Sequence, residues 1–119
     1  MKNLFEADVL RLGYVGRKPG TRDSDSWFTP AQYIEAARSV LKRIDLDPFS
    51  SDTANLTVGA KLYYTEANNG FKQSWLARTV WMNPPYGKLC RPAIEKFVYE
   101  FGCGHFKSGI ILVNNATET

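Results

Sequence analysis

The sequence predicts an α/β fold in which helices flank a mostly parallel sheet, and three observations carry that expectation. Two unbroken apolar runs, "TVWM" at 79–82 and "GIILV" at 109–113, have the composition of strands buried on both faces. Between them, "RPAIEKFVYEF" at 91–101 sets Ile94, Phe97, Val98 and Phe101 on one helical face, and Gly102 follows as a stop. Strand, helix and strand in that order form a β-α-β unit, which closes with parallel strands and a right-handed crossover.

The elements before this unit are read in chain order. Leu4, Phe5, Val9 and Leu12 show a brief helix-like spacing, after which glycine, charge and serine take over. Residues 13–26 read as a loop, and 1–26 as an N-terminal arm. Arg17, Lys18 and Arg22 could touch nucleic acid there, but a solvated segment is the plainer reading, and the arm receives no catalytic role.

In "FTPAQYIEAARSVLKR", Thr29 is placed to cap, Pro30 suits the first helical position and Gln32 completes a T-x-x-Q capping box. The spacing predicts a helix over 30–43 whose Tyr33, Ile34, Ala37, Val40 and Leu41 cover a sheet. "RIDLDPFSS" then predicts a short strand ending at Asp45 to Asp47, closed by Pro48. Residues 52–77 are ambiguous: Gly59 weakens a helix over 53–61, "LYY" fits a short strand and "ANNG" a turn.

With 119 residues, 44% of them hydrophobic, the chain suits one domain with one core. A net charge of +3 permits a polyanionic partner without requiring one. Cys90 and Cys103 lack metal-ligand spacing and have only His105 for company, so no zinc site is expected, and they read as reduced thiols of a cytosolic protein. Neither a membrane span nor a secretory leader is expected.

In an open α/β sheet, ligands bind beyond the carboxyl ends of the strands. Those ends are predicted to carry three polar clusters: Asp45 and Asp47, then Asn83 to Tyr86, then Asn114 and Asn115. Any one of them alone would read as a turn. Their coincidence on one edge points to a site.

The segment "NPPY" has a definite chemical capacity. The Asn83 side-chain carbonyl and the Pro84 backbone carbonyl can accept from the two hydrogens of one planar NH2 group, and Tyr86 offers a face for stacking. A conjugated amine is a poor nucleophile because its lone pair is delocalised. Two acceptors on its hydrogens draw the nitrogen toward tetrahedral geometry and free that pair. The electrophile must then be strong, and a sulfonium methyl serves. Near-attack positioning can account for roughly 7 to 11 kcal/mol of such a barrier, so no histidine or glutamate base is needed.

"NPPY" after an apolar strand resembles the (D/N/S)PP(Y/F) motif of amino-group methyltransferases. The blocks "WFTPAQYIEAA", "IDLDPFSSDTAN", "YYTEANNGFKQSW", "VWMNPPYG", "RPAIEKFV" and "LVNNATET", in that order, resemble the phage-type DNA N6-adenine methyltransferase family, called Dam-like, from Trp27 to Thr119. The resemblance implies a small or truncated Rossmann-like S-adenosylmethionine-dependent methyltransferase fold over 27–119, incomplete at its C-terminal end. It implies site-specific transfer of a methyl group from S-adenosyl-L-methionine to adenine N6 in DNA, in the cytoplasm of a bacterial host and with a phage or prophage origin. Asn83, Pro84, Pro85 and Tyr86 would hold the extruded adenine. Asp45, Asp47 and Pro48 would serve the cofactor, a carboxylate there binding the methionine ammonium. Thr29 and Pro30 match a block that borders the methionine pocket, although capping explains them equally well.

The chain departs from the wider methyltransferase pattern in two ways. "DPFSSDTA" lacks a glycine-rich loop, leaving Ser50 and Ser51 as small hydroxyl residues, and no ribose-binding acid stands out beyond Glu66, a candidate by position alone. The short length predicts a sheet of three or four strands with a raw edge, which a second copy or a further C-terminal segment would cover. Three alternatives stay open: an enzyme acting on a glutamine amide, an inactive or partner-dependent cofactor- or DNA-binding fragment, and a plain α/β domain with Trp27, Trp75 and Trp81 in its core.

Overall fold

The computed structural model describes residues 9–12 and 29–113. Its elements are β1 (Val9–Leu12), α1 (Ala31–Leu41), β2 (Leu46–Asp47), the short α2 (Asn55–Val58), β3 (Leu62–Tyr63), β4 (Thr79–Met82), α3 (Cys90–Gly102) and β5 (Ser108–Leu112). The strands form one sheet in the order β1-β5-β4-β2-β3. Every pairing is parallel, including Val80 with Gly109 and Leu46 with Val80. The expected α/β architecture with helices on a parallel sheet is therefore present.

All four residues of β4 are buried, and they alternate between two core layers as a strand must. Val80 and Met82 face Ala93, Phe97 and Phe101 of α3. Trp81 faces the opposite layer, with Ile34, Ala37 and Leu41 of α1 and Ile110 and Leu112 of β5. Burying each large side chain stabilises the fold by roughly 1.5–3 kcal/mol, so this unit contributes strongly to the core. Gly109 has a packing reason: a Cβ there would lie 2.5 Å from Phe97 Cζ and 2.8 Å from Phe106 Cε1, so only glycine lets those rings lie on β5. Trp75 and Trp81 lie in the core, a placement that the plain α/β-domain alternative named, while Trp27 lies outside the described residues.

Several expectations change. The helix-like spacing at the start does not produce a helix at Val9 and Leu12: residues 9–12 are a strand that pairs with β5. Thus the sheet has five strands rather than three or four, and β5 is not an edge. Arg17, Lys18 and Arg22 lie outside the described residues. Helix α1 is shorter than 30–43, because Lys42 turns to φ 75° and its N–H donates back to Arg38 O at 2.7 Å. Val40 and Val98 are 55% and 42% exposed, since the sheet covers a narrower stripe of each helix than the apolar spacing suggests.

The capping box is not formed either. Pro30, not Thr29, holds the cap position before α1, and no side chain caps the helix. In the ambiguous middle, Gly59 ends α2 at φ 66°, and β3 contains "LY" of the "LYY" run.

A polar network closes the amino edge of the sheet. Glu100, buried on α3, accepts from Lys96 Nζ at 3.1 Å and lies 2.7 Å from His105 Nδ1. Lys96 also sits 5.2 Å above the Trp75 ring. Burial raises the Glu100 pKa, but its His105 and Lys96 contacts outweigh that and hold the carboxyl below its ordinary value.

Candidate active site

The chain leaves β2 toward β3 on one side and then returns to β4 on the other side of β2, continuing outward to β5. The switch of direction lies between β2 and β4, where connections diverge and leave a crevice at the strands' carboxyl ends. A cavity of about 530 Å³ lies at this edge. Its walls come from all three nearby loops: Phe49 and Ser50 after β2, Thr65, Glu66 and Asn69 to Phe71 after β3, and Pro85 and Leu89 after β4. That volume falls within the roughly 300–1,000 Å³ usual for ligand sites.

"NPPY" starts one residue after β4 ends at Met82. Two consecutive prolines remove two ladder donors, so the strand cannot continue, and the chain turns through the tight 3₁₀ turn Gly87–Leu89 into α3. Pro84 is buried, whereas Asn83, Pro85 and Tyr86 are half-buried at the rim. Asn83 Nδ2 donates to Thr29 Oγ1 at 3.0 Å. Thr29 is thus brought to the motif, and its hydroxyl serves Asn83 instead of the helix. Pro30 is exposed and is not among the residues lining the cavity.

Asp47 ends β2 and is only 2% exposed. Its Oδ1 accepts from Phe49 N–H at 3.2 Å. Burial pushes its pKa up to about 7, and the hydrogen bonds from Phe49 and the Ser50 side chain only partly offset that. Asp47 is thus a buried acid at the carboxyl edge of the sheet, and no cation among the described residues forms an ion pair with it. Pro48, also buried, presents its carbonyl to Gly70: a Cβ on Gly70 would come within 2.1 Å of Pro48 O.

Asp45 requires a correction, because it stands at the amino edge rather than beside the motif. Its N–H donates to Thr79 Oγ1 at 3.0 Å, its Oδ2 accepts from Thr79 N–H at 3.3 Å, and its Oδ1 pairs with Arg43 at 2.9 Å. Thr79 begins β4. These contacts brace two strand starts and leave Asp45 no part in the cavity. Asn114 and Asn115 lie outside the described residues.

The loop after β3 is the part that sequence reasoning underrated. Asn69 adopts φ 61° and its Oδ1 accepts from Phe71 N–H at 3.1 Å, while Trp75 Nε1 donates to Gly70 O at 2.9 Å. These bonds fix Phe71 against Phe49 with ring centroids 4.8 Å apart, forming an aromatic corner. The signal in the sequence is "NNGF", a turn followed directly by an aromatic residue. Glu66 stands on the cavity wall with this loop. Of the basic residues near the motif, Lys96 is engaged with Glu100, Arg91 pairs with Glu95 at 3.8 Å on the surface, and Lys88 is exposed.

Among the described residues, no cluster of three or more His, Cys, Asp or Glu could hold a metal ion, and no helix is long and apolar enough to cross a membrane. Neither the curated proteins nor the solved structures give a match. The sequence does match the family described as DNA N-6-adenine-methyltransferase (Dam) over residues 18–118, the span that contains the cavity loops and "NPPY". The chain belongs to the DNA N-6-adenine-methyltransferase (Dam) family.

Proposed function

We propose that the chain uses S-adenosyl-L-methionine to methylate adenine N6 at specific sites in DNA, in the cytoplasm of a bacterial host. The observation that carries this reading is the cavity at the β2/β4 switch point, whose wall includes Pro85 of the motif itself. Space for one ligand thus adjoins the residues suited to a planar amine. The unit that does this is 27–119, with Val9–Leu12 joining its sheet.

The residues around the cavity suit the cofactor. Glu66 on the cavity wall would take ribose hydroxyls and the Phe49 and Phe71 rings would pack an adenine, while Asp47 and Pro48, just before the Phe49 wall, and Thr29, bonded to Asn83, would serve the methionine end. When bound there, S-adenosylmethionine supplies a methyl group on a sulfonium that leaves as a neutral thioether.

The chain's own residues would prepare the nucleophile. Asn83 Oδ1 and Pro84 O accept the two hydrogens of the target amine, and Tyr86 stacks on the extruded base. Drawing both hydrogens toward acceptors localises the nitrogen lone pair. Pro85 keeps the turn rigid between these groups and the cavity. After transfer the extra proton can pass to solvent, so no dedicated base is required.

The test is transfer of labelled methyl from S-adenosylmethionine into unmethylated DNA, with Asn83→Ala and a glutamine-containing protein substrate as controls. Label in adenine that is lost with Asn83→Ala supports the proposal. Label in glutamine would redirect it to a protein amide. Cofactor binding with no transfer to either acceptor would reduce the chain to a binding module that needs a partner.

A further inference from the structure

We propose that the amino edge of the sheet, opposite the crevice, is a second DNA contact: a row of exposed cations that holds the phosphate backbone of a duplex segment other than the one whose base is methylated. That the polyanion is DNA rests on the reading above; the row itself does not.

The topology builds the row. Lys107 directly precedes β5, Arg78 directly precedes β4, Lys61 directly precedes β3, and Arg43 stands just ahead of β2; all four are exposed. They are scattered through the sequence, yet their strands are consecutive neighbours in the sheet, β5-β4-β2-β3. Hydrogen bonds tie each strand start to the next. Lys107 N–H donates to Arg78 O at 3.0 Å, Thr79 Oγ1 to Arg43 O at 2.7 Å and Lys61 N–H to Ile44 O at 3.0 Å. With strands about 4.8 Å apart, the row runs about 15 Å along the edge.

Its charge is largely unspent. Asp45 holds Arg43 at 2.9 Å, and 65% of that arginine side chain stays exposed. Lys61, Arg78 and Lys107 form no ion pair among the described residues, and Glu100, the buried carboxylate of the same edge, is occupied by Lys96 and His105. Like charges on neighbouring strands destabilise a sheet, so the fold gains nothing from lining them up. Complementing a helix dipole accounts for Arg43, just after α1, but not for Arg78, which follows a loop, or for Lys107, which lies well beyond the end of α3. A polyanion accounts for all four. A duplex carries one negative charge per about 1.7 Å of its axis, so a row of this length faces several phosphates and replaces their counterions. Such contacts read no base sequence. Because every strand runs parallel, the row and the crevice lie at opposite ends of the strands, and a duplex on one edge leaves the other edge free.

The experiment measures binding of labelled duplex DNA to the full-length chain by fluorescence anisotropy across a range of salt. The wild type is compared with the triple substitution Lys61→Gln, Arg78→Gln and Lys107→Gln, which removes three charges, and with Lys61→Arg, Arg78→Lys and Lys107→Arg, which keeps them. Methyl transfer to short fragments of unmethylated DNA is followed for all three proteins. We expect loss of the charges to flatten the slope of log K against log salt by about 2 to 3, with kcat and both KM values on short fragments nearly unchanged. The charge-keeping variant should match wild type. A wild-type chain that binds no duplex, a glutamine variant with the wild-type slope, or a charge-keeping variant equally defective overturns the row. A rise in KM for short fragments as large as the loss of affinity would put the row on the target duplex and overturn the second contact. Poly-glutamate that binds the wild type more tightly than DNA does, and fails to bind the glutamine variant, would assign the row to an acidic protein instead. A wild type that transfers no methyl but keeps the row-dependent slope overturns the proposed activity and leaves this contact standing.

Discussion

Asn83, in the loop after β4, and Thr29, ahead of α1, are joined by one hydrogen bond of 3.0 Å across 54 positions of sequence. The bond connects the loop that carries "NPPY" to the helix on one face of the sheet. A neutral, part-buried hydrogen bond contributes about 1 kcal/mol net. Thr29→Val should therefore lower the unfolding free energy by about that amount in urea denaturation. A loss several times larger would mean that the valine disturbs packing and not merely the bond.

Asp47 gives a pH dependence with a definite sign. Its folded pKa of about 7 lies above the ordinary 3.8, so the folded state holds the proton more tightly than the unfolded chain does. Stability from this group is fully present below about pH 4 and declines as pH rises to about 7, where both states are ionised. At about 1.4 kcal/mol per pH unit, the interval amounts to about 4 kcal/mol, as an order of magnitude. Asp47→Asn, which keeps the acceptor for Phe49 N–H, should remove this decline and be the more stable protein at neutral pH. Urea midpoints across pH 4 to 8 for both proteins check it.

The same group predicts proton-linked binding. A ligand ammonium beside Asp47 would lower its pKa, so uptake of S-adenosylmethionine near pH 6 should release protons, and affinity should rise as pH approaches neutrality. Calorimetry in buffers of different ionisation enthalpy measures the proton count. Asp47→Asn should bind more weakly and lose the pH dependence.

Gly70 touches Pro48 too closely for any side chain. A Cβ would meet the Pro48 carbonyl oxygen at 2.1 Å and Phe49 Cε1 at 3.1 Å, and the oxygen belongs to backbone that cannot swing aside. Gly70→Ala should destabilise the protein by about 3 kcal/mol. It should also weaken cofactor binding through the displaced Phe71 corner, which thermal melting with and without the cofactor separates. Gly102→Ala, where a Cβ meets nothing within 4 Å, is the control.

Glu100 should matter for stability alone. Glu100→Gln loses charge-assisted bonds to Lys96 and His105, with an expected cost of about 2 kcal/mol. Because its folded pKa is lowered, the advantage of wild type is present above the ordinary 4.5 and disappears as pH falls through the folded value. The specific activity of the remaining folded protein should be unchanged, since the network lies at the amino edge, away from the cavity.

Local pattern made the β4-α3-β5 unit legible. Residues 79–82 are an interior strand and read as one, because burial on both faces leaves an unbroken apolar run. "NPPY" reads as the end of that strand for a similar reason, because two prolines in four adjacent residues cannot continue a ladder, and it follows β4 directly. Strand β1 was not legible, since the partner of Val9 is Gly109, and four residues of ordinary composition carry no sign of a strand so distant. The sequence groups Asp45 with Asp47, but a two-residue strand puts residues only two apart in different surroundings. One end of β2 faces Thr79 and the other faces the crevice.

By itself, the sequence determined the class of the fold and the family of the chain, because each depends on short-range pattern or on residue identity. The tertiary structure alone decided the five-strand order, the distribution of roles between Asp45 and Asp47, and the aromatic corner of Phe49 and Phe71. It also decided the meeting of Thr29 with Asn83. The physical reason is that a loop's neighbours are set by which strands pair, and pairing is a competition among long-range hydrogen bonds and core contacts that no local stretch records. Thr29 makes the case in one residue: its own surroundings in sequence offer it a helix to cap, and the folded sheet offers it an amide to hold.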